Sequence, residues 1–415
     1  MERLHKIGFS KLAHLEDTME KLLKKIKLNQ TEEIEITKAL NRILAEDIIS
    51  EIDIPPFDRA AMDGYAIKAE DSFRASFKNP KQVKLIGTIE IGESSNLKIN
   101  KDEVVRISTG APIPKGSDAV IKIEDTEIRE NIVTIYNALT PGKNISKRGE
   151  DIKKNALALN GGIELKAEHL ALLISLGFNQ VKVRSKPKIS VFSSGDELIE
   201  PDTPLLPGKI YSSNTPMISA LINLYGGNVI RAETVKDDKK AIKAKLIESV
   251  EDSQIIIFTG GTSVGTKDYL PEIIHETGTI LTHGIAMRPG SPVLIGFLKK
   301  SLIFCLPGSP GAAYITFLKI SGPAIRKMLG CSVLDPRIEI VARIDKDVPV
   351  TGLGMFHFLR VKLEKRENEF IAIPVKLKGS GVISSLTASD GIIEIPPNRE
   401  GLKKGEKVIV KLFPK

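Results

Sequence analysis

The chain has no tryptophan, two cysteines and six histidines in 415 residues, and aromatic side chains make up only 5% of it. No apolar run approaches the ~18 residues needed to span a bilayer. Each scarcity removes a class of function. No CxxC pair or HExxH occurs and the histidines are scattered, which argues against a zinc site. Cys305 and Cys331 suit a reducing compartment, and Cys305, inside the run LIFCL, reads as a small core residue. The N-terminal segment MERLHKIGFSKLAHLEDTMEKLLKK carries acids and no unbroken apolar stretch, so a secretory signal is not expected and the cytoplasm is. Basic residues outnumber acidic ones 60 to 52, and the two are interspersed, giving a net charge of +8. That balance favours an anionic small molecule over nucleic acid, since no basic stripe with interleaved aromatics is present. Glutamine is scarce while Lys, Glu and Ile are plentiful, a thermophile-like composition.

What is present divides the chain into four regions: multidomain α/β plus β. Residues 1–50 and 143–182 read as a helical, elongated N-terminal domain. Leu22, Leu23, Ile26 and Leu28 give one apolar face, ITKALNRILAEDI a second amphipathic stretch, and KAEHLALLISL a helix ended by Gly177. Residues 51–142 hold short β-rich runs separated by Gly, Pro and Asn, expected to form an inserted β domain. Residues 183–332 alternate strand and helix, which implies a parallel sheet covered by helices. Residues 333–415 turn β again, as a small barrel-like domain.

The α/β region carries the strongest signal. In residues 253–268, SQIIIFTGGTSVGTKD, a buried-strand run opens into a glycine-rich loop. Gly260 and Gly261 permit close backbone approach, Thr262 and Ser263 add donors to an anion nest, and Asp268 could hold a cation against the anion. A tight β–α connection is the other reading, and the glycine spacing fits neither the dinucleotide nor the P-loop fingerprint. Two further loops, SSGDE with Glu197 and PGSPG with Pro307, Gly308 and Pro310, should emerge at the same carboxyl edge, where open sheets bind ligands. Asp237 and Asp238 open a helix, where capping is the default role. Arg288 stands on a Pro/Gly frame with Ser291, suited to an oxyanion. Asp58 and Asp63 lie in PPFDRAAMDGYA, and Thr109 in RISTGAP. Together Asp63, Glu197, Asp237 and Asp268 suggest a phosphorylated ligand with Mg²⁺, and metal-assisted phosphoanhydride cleavage.

PPFDRAAMDGYAI, RISTGAPIPKGSDAVI, SKRGEDI, FSSGDEL, TGGTSVGTKDY, AMRPGSP and LPGSPGAA occur in the order seen in the MoeA and gephyrin E-domain family, the molybdopterin molybdenumtransferases. The resemblance covers nearly the whole chain. It implies an elongated homodimer of four-domain subunits that inserts molybdate into adenylylated molybdopterin with AMP release and Mg²⁺. It implies active-site roles for Asp63 and Thr109, and an acidic set of Glu197, Asp237 and Asp268 around metal and pyrophosphate, with Asp151 a further site-lining acid. Pro307 and Pro310 would shape a site loop. Arg360 and Ser380 match positions brought to the cleft across the dimer, and the molybdopterin adenylyltransferase is the implied partner. Many members read KPGKP where this chain has RPGSP, so Ser291 replaces a lysine, and Gly284 replaces another. The missing cation suggests that tungstate serves as well as, or instead of, molybdate. Adenylylation of molybdopterin and a non-catalytic carrier or scaffold are the alternatives; the flanking domains argue against the first and the lack of an extra interaction domain against the second.

Overall fold

The computed structural model describes residues 12–93, 96–260, 269–375 and 382–414. Helix α1 (Leu15–Lys25) places Glu16 and Asp17 in its first turn and Lys24 and Lys25 in its last, matching the helix dipole, and buries Leu15, Thr18 and Leu22 along one stripe. Strand β1 (Thr31–Glu35) follows. The second amphipathic helix expected from ITKALNRILAEDI is absent: only the single turn Ile36–Lys38 is helical, and Asn41 takes φ +60°. The backbone of this segment bonds elsewhere, Asn41 N–H to Leu165 O at 2.8 Å and Leu44 N–H to Ile163 O at 3.0 Å, while Ile36, Ala39 and Leu44 pack on Leu165, Leu173 and Val183. Tertiary burial overrides the helical pattern.

The inserted unit is a six-stranded sheet of β2 (Gly64–Ile67), β3 (Lys81–Ile89), β4 (Glu103–Ile107), β5 (Ala119–Lys122), β6 (Thr126–Arg129) and β7 (Ile132–Ile135), in the order β5-β2-β4-β3-β7-β6. Apolar residues pack against both its faces. The chain then returns to the first lobe through α2 (Ala167–Ser175), which Gly177 at φ +88° terminates, and β8 (Gln180–Arg184), antiparallel to β1.

The central sheet is built from β9 (Lys188–Ser194), α3 (Asn214–Leu224), β10 (Asn228–Val235), α4 (Lys239–Val250), β11 (Ile255–Thr259), α5 (Tyr269–Thr277), β12 (Thr279–His283), β13 (Leu294–Leu298) and β14 (Ser301–Leu306). Its strand order is β10-β9-β11-β14-β13-β12. Alternate residues of β11 and β14 enter opposite cores: Ile255, Ile257, Leu302 and Phe304 on one face, Ile256, Phe258, Ile303 and Cys305 on the other. Two-sided burial explains their unbroken apolar runs and confirms Cys305 as a core residue. The expected parallel pairing holds for β10, β9, β11 and β14 only. A tight turn with Lys299 at φ +51° joins β13 to β14, so the other half is antiparallel. Helices α6 (Pro310–Thr316) and α7 (Gly322–Met328) follow, joined by a π-helical turn at Phe317–Ser321.

The C-terminal strands β15 (Glu339–Ile344), β16 (Phe356–Arg366), β17 (Glu369–Pro374), β18 (Gly391–Ile395) and β19 (Lys407–Leu412) pair as β16-β17-β15-β19-β18 and close through β18–β16 into a five-stranded barrel. Phe358 and Ile392 join the core of the central domain, and Phe413 packs edge-on against Tyr314; a strand pairing and an ion network add to these contacts. Met287 and Arg288 pair in parallel with Phe356 and His357 of β16. The Arg337 guanidinium, with no exposed side-chain surface, bonds Asp335 at 2.8 Å and Glu394 at 3.3 Å, while Lys319 from the π-helical turn bonds Glu394 at 2.9 Å. Lys411 completes the network beside Asp335 and Glu394.

Candidate active site

The carboxyl ends of β9, β11 and β14 open onto one cavity of about 280 Å³. Ser193, Ser194, Gly195 and Glu197 line it from β9, Thr259 and Gly260 from β11, Gly308 and Pro310 from the loop after β14, Asn214 from the start of α3, and Asp237 from the turn after β10. Three glycine- and serine-rich loops thus meet as the sequence leads one to expect, because parallel strands deliver all their carboxyl ends to one edge.

Buried hydroxyls fix the floor. Ser193 Oγ lies 2.6 Å from Thr215 Oγ1 and 2.8 Å from Thr259 Oγ1, joining β9, α3 and β11. Asn214 Nδ2 donates to Gly308 O at 2.7 Å, which ties α3 to the loop after β14. Gly260 adopts φ +91°, and a Cβ there would lie inside the van der Waals envelope of the Ser194 carbonyl. Only glycine lets β11 enter its loop this close to β9. The Glu197 carboxylate folds back over Gly195, whose absent Cβ would sit 2.6 Å from Glu197 Oε1.

The paired acids divide their work. Asp238 caps α4, accepting the Ala241 N–H at 2.9 Å, whereas Asp237 accepts the Ser194 hydroxyl at 3.0 Å and faces the cavity. A flap completes the wall: residues 198–199 pair in parallel with 210–211, Lys209 Nζ donates to Asp196 O at 2.6 Å, and Tyr211 OH reaches Thr203 O at 3.3 Å. Leu198, Ile210 and Tyr211 add apolar surface to the cavity lining.

The other expected residues lie elsewhere in the chain. Pro307 follows β14 directly and is buried. Asp63 and Thr109 stand together on the inserted sheet, where the Thr109 N–H and hydroxyl both bond Asp63 Oδ1, and neither lines the cavity. The Thr109 N–H is the main cause holding the Asp63 carboxyl below the usual range, with the Thr109 hydroxyl next. Asp58 instead bonds Lys147 Nζ and the Arg148 N–H, each at 2.8 Å, fastening a turn. Asp151 is exposed on that turn, its N–H bonded to Ile54 O, and does not join Glu197 and Asp237. Arg288 is exposed beside Thr351, and Ser291 Oγ donates to Met287 O at 2.6 Å. Arg360 is half-buried on β16, and burial lowers its guanidinium below the usual value. Gly261, Thr262, Ser263, Asp268 and Ser380 fall outside the described residues.

Sequence reasoning missed Asn214, Thr215, Ser193 and Tyr211. Ser193 stands inside FSSGDEL without having been singled out, while Asn214, Thr215 and Tyr211 stand in no motif, and only the meeting of α3 with three strand ends reveals their part. Among the described residues no three His, Cys, Asp or Glu side chains form a metal cage. Glu197 and Asp237 with the Ser194 hydroxyl are an all-oxygen set, which fits Mg²⁺, an ion that binds through one or two carboxylates, its own waters and substrate phosphates. No helix of the described residues is long and apolar enough to cross a membrane.

Known proteins place this architecture. Residues 13–177 match the MoeA N-terminal region (domain I and II), 190–327 a probable molybdopterin binding domain, and 351–413 the MoeA C-terminal region (domain IV). A molybdopterin biosynthesis protein of Methanocaldococcus jannaschii is 35% identical, covering 100% of this chain and 98% of its own. A molybdopterin molybdenumtransferase of Staphylococcus aureus is 36% identical over 90% of this chain and 89% of its own. The crystal structure of a molybdopterin biosynthesis MoeA protein from Pyrococcus horikoshii superposes with a TM-score of 0.85, at 33% identity, covering 97% of this chain and all of that one.

Proposed function

The chain belongs to the MoeA family and to molybdenum-cofactor biosynthesis, and from that premise we propose that it is a cytoplasmic molybdopterin molybdenumtransferase that inserts molybdate, or tungstate, into adenylylated molybdopterin and releases AMP with Mg²⁺. The observation that carries this reading is the cavity at the ends of β9, β11 and β14, where two carboxylates face glycine and hydroxyl donors across about 280 Å³.

Each residue has work to do there. The Ser193, Thr215 and Thr259 hydroxyls hold the strand ends in register, so donors are in place before the ligand arrives. The close approach of Gly260 to Ser194 leaves backbone open to the pyrophosphate. Glu197 and Asp237 would hold Mg²⁺, which when bound neutralises charge on the phosphoanhydride that is cleaved. Arg288, on the edge toward the barrel, attracts the metal oxyanion, and Ser291 with its hydroxyl turned to Met287 O adds no charge beside it.

The reading includes a homodimer. Asp63, Thr109 and Asp151 do not reach the cavity of their own chain, and a second subunit would bring them, with Arg360 and Ser380, to complete it. The adenylyltransferase would supply the adenylylated substrate.

Reconstitution tests the proposal. The protein is incubated with adenylylated molybdopterin and Mg²⁺, with molybdate or tungstate, and AMP and active cofactor are measured. Oxyanion-dependent consumption of the adduct, lost in Glu197→Gln and Asp237→Asn, is the expected result. Adduct formation from molybdopterin and ATP would assign adenylylation instead, and strict molybdate preference would remove tungstate from the reading.

A further inference from the structure

A second cavity, of about 320 Å³, opens where the first lobe meets the central domain. Leu40, Glu164 and Lys166 line it from the lobe, and Lys186, Leu224 and Arg326 from the entry to β9, the end of α3 and α7. Lys186 stands just before β9, whose first residue, Lys188, pairs with Asn228 at the start of β10. The cavity therefore lies at the amino ends of these strands. It shares no residue with the one at their carboxyl ends.

Its lining holds three cations and one acid among the described residues. Glu164 sits between two of the cations, with Oε1 2.6 Å from Lys166 Nζ and Oε2 3.3 Å from Arg326 Nη1. Burial opposes the Glu164 charge, but Lys166 and Arg326 outweigh it and hold the carboxyl below its usual range. Arg326 is only 5% exposed, and a second bond from Nε to Val333 O at 2.7 Å fixes its guanidinium. Lys186 is exposed and makes no hydrogen bond or ion pair to the described residues. Three positive charges less one negative leave a surplus of two, in a concave site that concentrates the field.

The rest of the lining is partly apolar. Leu40 and Leu224 are about half exposed, so the apolar surface continues out to solvent. A ligand that answers both features carries two negative charges and an apolar body. A phosphate monoester has close to two charges at neutral pH, whereas a carboxylate has one. We propose that this cavity is a second ligand site, for a small phosphate monoester whose phosphate is held by Lys186, Lys166 and Arg326 and whose apolar body covers Leu40 and Leu224. Because the lobe and the central domain each supply cations, an occupant ties the two together and stabilises their docked arrangement.

Calorimetry on the full-length protein tests it with phenyl phosphate, benzoate and inorganic phosphate. Phenyl phosphate should bind about tenfold or more tighter than benzoate, and less tightly as salt is added. Lys186→Glu cancels the surplus charge and should weaken phenyl phosphate about tenfold or more, while Lys186→Arg should bind as wild type does. Lys186 holds no other described residue in place, so both variants are expected to fold. Leu224→Ser should weaken phenyl phosphate and spare inorganic phosphate. Phenyl phosphate should also raise the melting temperature of wild type more than that of Lys186→Glu. Equal affinity in wild type and Lys186→Glu, or no binding of phenyl phosphate at all, overturns the proposal. Equal binding of benzoate overturns the phosphate assignment, and equal loss of both phosphates in Leu224→Ser overturns the apolar body.

Discussion

Thr109 gives both of its donors, backbone N–H and hydroxyl, to the same oxygen, Asp63 Oδ1, each at 2.7 Å. The carboxylate is held ionised and aimed, and both residues are exposed on the inserted sheet, ready for a partner surface. Thr109→Val keeps the N–H and loses the hydroxyl, so the Asp63 pKa should climb back toward its ordinary value. The expected outcome is an acid limb of the pH–rate profile displaced to higher pH. Because the folded pKa is depressed, the pair stabilises the fold above the unfolded pKa and less as pH falls through the folded one. Exposure keeps that effect small, so the melting temperature at neutral pH should stay put. An acid limb that does not move would remove Asp63 from the reaction.

Adjacent aspartates should separate under mutation. Asp238→Ala removes the cap of α4 and should cost about 1 kcal/mol in denaturant unfolding while sparing turnover. Asp237→Asn should leave stability nearly unchanged and abolish Mg²⁺-dependent activity. Equal loss of activity in both would show that the helix start, rather than the Asp237 carboxylate, matters.

Gly260→Ala sets a methyl group against the Ser194 carbonyl at a φ of +91°. Strain of roughly 1–3 kcal/mol is expected, read as a lowered denaturation midpoint, together with loss of pyrophosphate binding. Normal binding with lowered stability would place the ligand away from the β9–β11 approach.

Arg337→Ala should be the most destabilising of these changes, by about 3–5 kcal/mol, because it strands Asp335 and Glu394 in a largely buried network. Burial is the largest influence on Asp335 and opposes its charge, yet Arg337, Lys411 and Lys319 together outweigh it and hold the carboxyl at about 2. Its contribution is therefore complete above the ordinary carboxylate value of 3.8 and is lost as pH falls toward 2. Acid unfolding curves should show that loss in wild type and a flatter limb in Arg337→Ala.

Much of the site was legible because strand ends carry it. The runs at 255–258 and 302–306 are apolar on both faces, as a sheet covered on both sides requires, and together with the strand at 188–194 they lead into loops of Gly, Ser, Thr and Pro. The residues 36–48 misled because their spacing satisfies a helix equally well, and the carbonyls of Ile163 and Leu165 that capture their backbone lie more than a hundred positions away. A separation of 94 positions hid Asn214 in the same way. Its amide has meaning only beside Gly308, and nothing local announces that pairing. Local pattern alone left Asp237 and Asp238 as equal candidates for a cap, and only the family resemblance singled out Asp237; in the structure Asp238 caps α4 and Asp237 takes the Ser194 hydroxyl.

The two-residue pairing of Met287 and Arg288 with Phe356 and His357 makes the guanidinium a passenger of the barrel's first long strand. The place of that positive charge is therefore set by how the last eighty residues seat themselves, and not by the central sheet alone. A substitution that tilts the barrel, however far from Arg288 in sequence, carries the guanidinium with it.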